Sequence, residues 1–250
     1  MLNIINIDFD YTKLENVDKI YIPFKYFVLK DFASIVKTIT QNFDTYIYMP
    51  TIIRNNYNKL ISQNLSKTLS SYKIKGFVIS NIGNLELLKD QQDYQFICNY
   101  TFNVFNNWSK HELPYDAVTL SPELNKSDLL HFATTANCEL IVYGRTPLMN
   151  SNYCLLGKTN KCYNSCEHLC KNSNNIYFLK DRLGFLFRVI PDNIDTVTTI
   201  YNSKITSIEH KDIPVPSIRI DILDESIDEI NHIIDLVEYG EKIEGNDFTN

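Results

Sequence analysis

Four of the six cysteines lie close enough in the chain to hold a metal ion or an iron–sulfur cluster. Cys154, Cys162, Cys166 and Cys170 follow the spacing C-x7-C-x3-C-x3-C, which places four thiols within seventeen residues. Four thiolates can supply every ligand of a zinc ion or of a cluster. None of these intervals is the C-x2-C of zinc ribbons. If the segment were one continuous helix, Cys162 and Cys170 would lie about 12 Å apart along its axis, too far for one cluster to bind both comfortably. The spacing therefore leaves three alternatives open: a cluster, a structural zinc or idle thiols.

The remaining cysteines, Cys98 and Cys138, lie within or beside apolar runs, so we expect buried, inert thiols there. The start of the chain lacks the basic region and small-residue cleavage site of a secretory signal. No apolar run approaches the roughly 18 residues that cross a bilayer. We therefore expect a soluble cytoplasmic protein, whose cysteines serve metal or redox chemistry more than disulfides.

A second segment with reactive residue types runs from Tyr177 to Ile190. Lys180, Asp181 and Arg182 stand there between two apolar stretches, and Gly184 follows them. This order predicts a tight hairpin with the glycine at the special backbone position. Asp181 and Arg182 form either a functional ion pair or a turn cap, because turns select these residue types anyway.

Polar residues also follow several of the predicted strands. They are Asn81, Asn103, Asn106, Ser121, Glu123 and Asn125. Such side chains bind substrate or satisfy the backbone of a turn. Glu123 and Glu139 are possible general acids or bases, or else surface and capping carboxylates. The motifs H-E-x-x-H, G-x-S-x-G and G-x-x-x-x-G-K-[ST] are missing and the five histidines are scattered, so the residues alone do not indicate proteolysis.

The elements that must position these residues alternate along the chain. Near-continuous runs of β-branched and aromatic residues predict buried parallel strands at 19–24, 45–50, 76–81, 95–100, 117–122, 139–144, 196–203 and 217–223. Apolar residues at helical spacing predict helices at 32–43, 60–69, 85–88, 129–132 and after Asp224, a predicted N-cap. The alternation predicts an α/β fold, and eight cycles favour a single (β/α)₈ barrel of TIM type.

The predicted domain spans residues 1–250, with a polar, frayed tail at 238–250. The even spacing of strands breaks once, after the sixth strand, so the cysteine segment is predicted to be an insertion at one mouth of the barrel. The formal net charge is −6, which argues against general polyanion binding but does not exclude a local basic groove.

The stretch ELIVYGRTPLMNSNYCLLG, followed by the cysteine segment, YFLKDRLGFLFRVI and TTIYNS, resembles the U32 "peptidase" (collagenase-like) family. VISNIGNLELL, NYTFNVFNNWS and VTLSPELN look like the preceding strand–loop units of that family. The resemblance covers roughly residues 18–236 and is greatest for the branch in which Y-G-R-x-P-L-M precedes a cysteine.

Several residues match the family pattern individually. Glu139, Ile141 and Gly144 match the signature of the sixth strand, and Cys154 matches the next signature cysteine. A further family cysteine matches one of Cys162, Cys166 and Cys170. Pro147 and Thr196 stand where other members have cysteine, so a cluster in this chain would be a rearranged one.

The family name implies a peptidase that acts on collagen-like substrates, whereas other relatives resemble iron–sulfur proteins that support hydroxylation of tRNA, ribosomal RNA or ubiquinone precursors. One hypothesis is therefore an RNA-modifying enzyme with its cluster on Cys154, Cys162, Cys166 and Cys170. The other two are a peptidase, and a non-catalytic barrel with structural zinc that acts as a binding subunit. The partners would be RNA, a peptide or a small molecule, together with a further protein, because the chain is short for the family.

The candidate site residues follow from these hypotheses. The catalytic candidates are Glu139, Arg145, Asp181 and Arg182. Arg145, Lys180 and Arg182 would meet an anionic substrate. The acidic net charge then requires a localised basic mouth, to which Lys158, Lys161, Lys171 and Arg188 would contribute.

Overall fold

The structure, a computed structural model, describes most of the chain. The described residues are 2–4, 10–106, 108–109, 115–133, 137–156, 176–192, 194, 197–241 and 243. Cys162, Cys166 and Cys170, together with Lys158, Lys161, Lys171 and Thr196, lie outside them, as does most of the predicted polar tail. The cysteine insertion therefore stays a prediction.

Thirteen strands are present among the described residues, in two sheets. The larger sheet contains β1 (Leu2–Ile4), β2 (Lys19–Pro23), β3 (Asp44–Tyr48), β4 (Gly76–Ile79), β5 (Gln95–Cys98), β6 (Ala117–Thr119), β7 (Cys138–Gly144), β12 (Thr206–Ser207) and β13 (Ser217–Ile222). The smaller sheet contains β8 (Pro147–Ser151), β9 (Tyr177–Lys180), β10 (Leu186–Asp192) and β11 (Val197–Tyr201). The helices are α1 (Phe24–Val28), α2 (Ala33–Asn42), α3 (Asn55–Ser71), α4 (Ile82–Leu87), α5 (Lys126–Ala133) and α6 (Ile227–Glu238).

The larger sheet is parallel and curled. Strands β1 to β6 pair in chain order. On the other side of β1 lies β13, which pairs in parallel with β7, and β7 also pairs with β6. Among the described strands of this sheet, only β12 is antiparallel, at the edge of β7. The predicted α/β class is therefore confirmed, with a curled parallel sheet at its centre.

Two details of the predicted element pattern are wrong. The run 196–203 was expected in the parallel sheet, but β11 lies in the smaller sheet between β8 and β10, antiparallel to both. Its place in the parallel sheet is taken by β1, which is only three residues long. The predicted N-cap of α6, Asp224, is also wrong, because the Ser226 side chain accepts from the Glu229 N–H in a reciprocal capping box.

The smaller sheet contains the predicted hairpin. Strands β9 and β10 pair antiparallel, and Gly184 has φ +90° in the turn between them. The Oδ1 atom of Asp181 accepts from the N–H groups of Leu183 and Phe185, both at 2.8 Å. Asp181 therefore caps this turn.

The core lies mainly between the parallel sheet and its helices. Helix α6, for example, buries Ile230, Ile233, Ile234 and Val237 on one face, as its spacing predicts. The other face of the sheet, inside the curl, carries a separate small cluster of Tyr21, Tyr46, Val78 and Ile97. Within the described part of the chain, no helix has the length and apolarity needed to span a membrane.

Candidate functional site

A cleft lies where the parallel strands end and the smaller sheet covers them. One cavity of this cleft, which we call the main lobe, has a volume of about 300 Å³. One wall contains residues at or just after the carboxyl ends of β2, β3 and β13, and the other contains residues of β8, β10 and β11. Ligands of parallel α/β folds bind at this end of the strands, since the loops there can vary without disturbing the sheet.

The floor of the main lobe contains a buried ion pair from one strand. Arg219 and Asp221 lie two residues apart on β13, so both point into the curl. The Arg219 Nε and Nη2 atoms donate to the two carboxylate oxygens of Asp221 at 2.5 and 3.0 Å. Arg219 is fully buried, and this two-point contact fixes its plane. The same geometry holds the Asp221 carboxylate at the surface of the lobe.

Beneath Arg219 lies Glu139, one of the predicted catalytic residues. The Tyr21 hydroxyl donates to its Oε2 atom at 2.6 Å, and the Thr119 hydroxyl donates to Oε1 at 3.0 Å. The Arg219 Nη1 atom lies 3.6 Å from Oε1. Glu139 itself is buried and does not line the main lobe. Its contacts point to a role in holding Arg219, and direct contact with a ligand stays a prediction.

Burial raises the pKa of Glu139, although Arg219, Tyr21 and Thr119 all favour its charged form. A carboxyl whose pKa is higher in the folded state contributes stability below its unfolded value of 4.5, and this contribution is lost as the pH rises through the folded pKa. We expect the stability advantage of the wild type over Glu139→Gln to shrink from about pH 4.5 upward. Urea unfolding of both proteins across this range measures it, with the exposed Glu86→Gln as control. A difference independent of pH would contradict the shift.

Asn99 connects the charged floor to the aromatic wall. Its Oδ1 atom accepts from Arg219 Nη1 at 2.9 Å, and its Nδ2 atom donates to the Tyr48 hydroxyl at 2.7 Å. The main lobe is lined by four tyrosines, Tyr48, Tyr57, Tyr100 and Tyr201. Burial raises the pKa of Tyr48, Tyr100 and Tyr201, so their phenols stay neutral at physiological pH. The lobe thus combines ring surfaces with a few fixed polar groups.

The cations around the cleft are mostly paired with carboxylates. Lys25, just after β2, forms an ion pair with Asp192 of β10, and both line the main lobe. The buried Arg188, predicted to contribute to a basic mouth, pairs instead with Asp224. Within the described residues, these pairs cancel most of the positive charge at this end of the sheet.

Arg145, predicted as a catalytic and substrate-binding residue, does line the main lobe. Its Nη1 atom donates to the carbonyl oxygens of Asn202 and Ser203 at 3.0 and 2.6 Å, which ties β7 to the chain that follows β11. Gly144, the preceding residue, has φ +143° and packs against Asp221, so a side chain there would meet Asp221 atoms. Arg145 is thus the one predicted catalytic candidate that the described geometry brings to the cleft.

Lys180, Asp181 and Arg182 lie elsewhere, at the exposed tip of the β9–β10 hairpin. They do not line the main lobe, so the structure does not bring them together with Arg145. Their predicted substrate-binding and catalytic roles stay predictions.

The predicted cysteine site falls mostly outside the described residues. Cys154 is exposed, and Pro147, where the family pattern has a cysteine, lies in β8 against the main lobe. Among the described residues, no group of three His, Cys, Asp or Glu side chains could hold a metal. The described residues therefore do not by themselves fit a cluster. Cys98 and Cys138 are buried, as expected, and burial raises the pKa of Cys98 to about 12.

A second lobe, also of about 300 Å³, lies beside the main lobe. A narrow cavity of about 20 Å³ lies between the two and shares Tyr100 and Pro147 with both. The lining of the second lobe includes Ser121, Glu123 and Asn103, three of the strand-end polar residues that the sequence singled out. The cleft therefore consists of two lobes that are joined by shared lining residues.

Sequence reasoning missed the central pair of this site. Arg219 and Asp221 occur in SIRIDIL, a run in which two charged residues alternate with apolar ones. In a strand that is otherwise buried, charges at i and i+2 share one face and must find partners. The sequence therefore contained a signal for Arg219 and Asp221. It contained no such signal for Lys25 and Asp192, which reach the cleft from distant segments.

No protein-family model matches the chain, and no curated protein matches it. A solved structure of the U32 peptidase Mk0906 is similar over 90% of this chain and 93% of the other, with 11% sequence identity and a TM-score of 0.49. This likeness is too distant to transfer the role of any residue. The roles of the cleft residues therefore rest on their own contacts.

Proposed function

We propose that the chain is a U32-type protein that binds a peptide in the cleft, with peptidase activity as the family name implies. The sequence resemblance over residues 18–236 supports the family, and the closed series of parallel pairings through β6, β7, β13 and β1 supports a complete TIM-type barrel. The observation that carries the choice of ligand is the balance of charge in the cleft.

Across both lobes and the narrow cavity, the described lining residues include three cations and three carboxylates. They are Lys25, Arg145, Arg219, Glu123, Asp192 and Asp221. A strand of RNA brings one negative charge per nucleotide, and its binding depends on a surplus of Lys and Arg. A peptide main chain is uncharged and needs neutral donors and acceptors in addition to apolar walls. The balanced lining favours the peptide.

The remaining lining of the main lobe fits the same ligand. Asn150 and Thr199 face each other across β8 and β11, and the Thr199 hydroxyl donates to Asn150 Oδ1 at 2.8 Å. Such groups donate to and accept from peptide amides equally well. Tyr48, Tyr57 and Tyr201 supply the ring surface that an apolar side chain would bury.

The proposal is tested with fluorescently labelled probes: a short unfolded peptide of collagen-like sequence and an oligoribonucleotide of equal length. Anisotropy titrations at low and physiological salt should show saturable binding of the peptide with a weak dependence on salt. Mass spectrometry of the same mixtures reports cleavage. Tighter binding of the RNA, falling steeply with salt, would overturn the proposal in favour of the RNA ligand.

Filling the main lobe should weaken this binding. Thr199→Trp places a large ring in a half-buried position that lines the lobe, and we expect at least about a tenfold loss of peptide affinity, which corresponds to 1.4 kcal/mol. Phe178→Trp is the matched control, since this exposed residue of β9 lies on the same sheet and lines neither lobe. Equal affinities of the two variants would place the peptide outside the cleft.

A second candidate is favoured by the four tyrosines of the main lobe, because aromatic rings stack on unpaired RNA bases. In this proposal the chain supports RNA hydroxylation, with an iron–sulfur cluster on Cys154, Cys162, Cys166 and Cys170 that supplies the redox chemistry when bound. Anaerobic purification followed by iron, sulfide and zinc analysis tests it. Near-stoichiometric iron would support it, whereas zinc alone would support a structural metal in a non-catalytic binding subunit.

A further inference from the structure

The second lobe has a lining unlike that of the main lobe. Apart from Tyr100, Pro122, Pro147 and Leu148, its described lining residues are all polar. They supply hydroxyl and carboxamide oxygens from Ser121, Asn103, Asn202, Thr146 and Thr206. Such oxygens accept hydrogen bonds from a donor-rich group.

Glu123 is the only charged side chain among the described lining residues of this lobe. It is exposed, and its backbone N–H donates to the hydroxyl oxygen of the buried Ser121 at 3.3 Å, which holds the loop after β6 in place. Arg145 is the only cation among the described residues that line the narrow cavity, and it also lines the main lobe, as does Asp221. The second lobe therefore carries a formal negative charge with neutral acceptors around it.

We propose that the second lobe binds a cationic group of the ligand, a lysine or arginine side chain, and that Glu123 determines this specificity. The proposal rests on the peptide ligand proposed above. A peptide residue in the main lobe and a basic neighbour in the second lobe would be joined by the chain passing Tyr100 and Pro147. A carboxylate that shares its lobe with hydroxyl and carboxamide acceptors suits an ammonium or guanidinium group, which carries only donors.

The test uses three peptides that differ at one position, which carries Lys, Gln or Glu. Calorimetric titration of the wild type should give the order Lys, then Gln, then Glu, with about two- to fivefold between successive peptides, as for exposed ion pairs. In Glu123→Gln this order should flatten, because the charge that distinguishes the three peptides is removed. Raising the salt concentration should reduce the preference of the wild type.

The control variant is Glu86→Gln, which removes an exposed carboxylate of α4 that does not line the cleft, and it should keep the wild-type order. Circular dichroism of each variant verifies that it is folded. If all three peptides bind the wild type with equal affinity, the inference about Glu123 is wrong and the peptide-binding proposal stands. If none of them binds, the peptide-binding proposal itself fails.

Discussion

Replacing Arg219 with methionine is expected to lower the free energy of unfolding by about 3–5 kcal/mol, the usual cost of removing one partner of a buried ion pair. The guanidinium is fully buried and contacts Asp221 and Asn99, with Glu139 at 3.6 Å. Without it, the carboxyl groups of Asp221 and Glu139 lose the cation that lies beside both. Urea unfolding monitored by circular dichroism measures the loss.

A triple variant shows whether the loss comes from charge. Adding Asp221→Asn and Glu139→Gln to Arg219→Met removes both orphaned charges, and we expect it to recover a large part of the lost stability. Arg182→Met, at the exposed hairpin tip, is the matched control and should change stability by less than about 0.5 kcal/mol. If Arg219→Met behaved like Arg182→Met, the buried network would not be a structural element.

The second large effect is expected from Gly144→Ala, which acts on stability and on ligand binding together. Gly144 has φ +143°, and a Cβ atom there would lie 2.6 Å from the Cβ of Asp221 and 2.8 Å from its carbonyl oxygen. Backbone strain of this kind costs about 1–3 kcal/mol. Because Asp221 must also move, we expect about a tenfold loss of peptide affinity, equivalent to 1.4 kcal/mol.

Gly184→Ala separates the two effects. Gly184 also has a positive φ, +90°, but the nearest atom to its added Cβ is Lys180 Cε at 3.8 Å, away from the cleft. This control should lose stability through strain and keep full peptide affinity. Unfolding curves and anisotropy titrations of both variants provide the comparison. An unchanged affinity in Gly144→Ala would show that Asp221 does not contact the ligand.

The sequence predicted those elements whose burial produces an apolar pattern within a short stretch of residues. Near-continuous apolar runs located β2 to β7 and β13, and helical spacing located α6. It failed at β11, because a run of β-branched residues looks the same in a parallel sheet and in an antiparallel one. It also failed at β1, since three residues are too few to show a period.

The candidate site was harder to predict because it is assembled from distant segments. Arg145 was found, since it directly follows a recognisable strand and lines the main lobe. The partners of Arg219 come from β13 itself, from the end of β5 and from β7, and the contact with Asn99 joins residues 120 positions apart. A local pattern shows that a buried charge needs a partner, but it does not show which distant residue provides it.

The two walls of the cleft have different origins in the chain. One wall is the end of the parallel sheet, whose residues are constrained by the core behind them. The other is the smaller sheet, and all four of its described strands lie between β7 and β13 in the chain. The Lys25–Asp192 and Arg188–Asp224 ion pairs join this sheet to the first wall. Sequence changes in the smaller sheet can therefore change the ligand, while the larger sheet keeps its fold and its buried arginine.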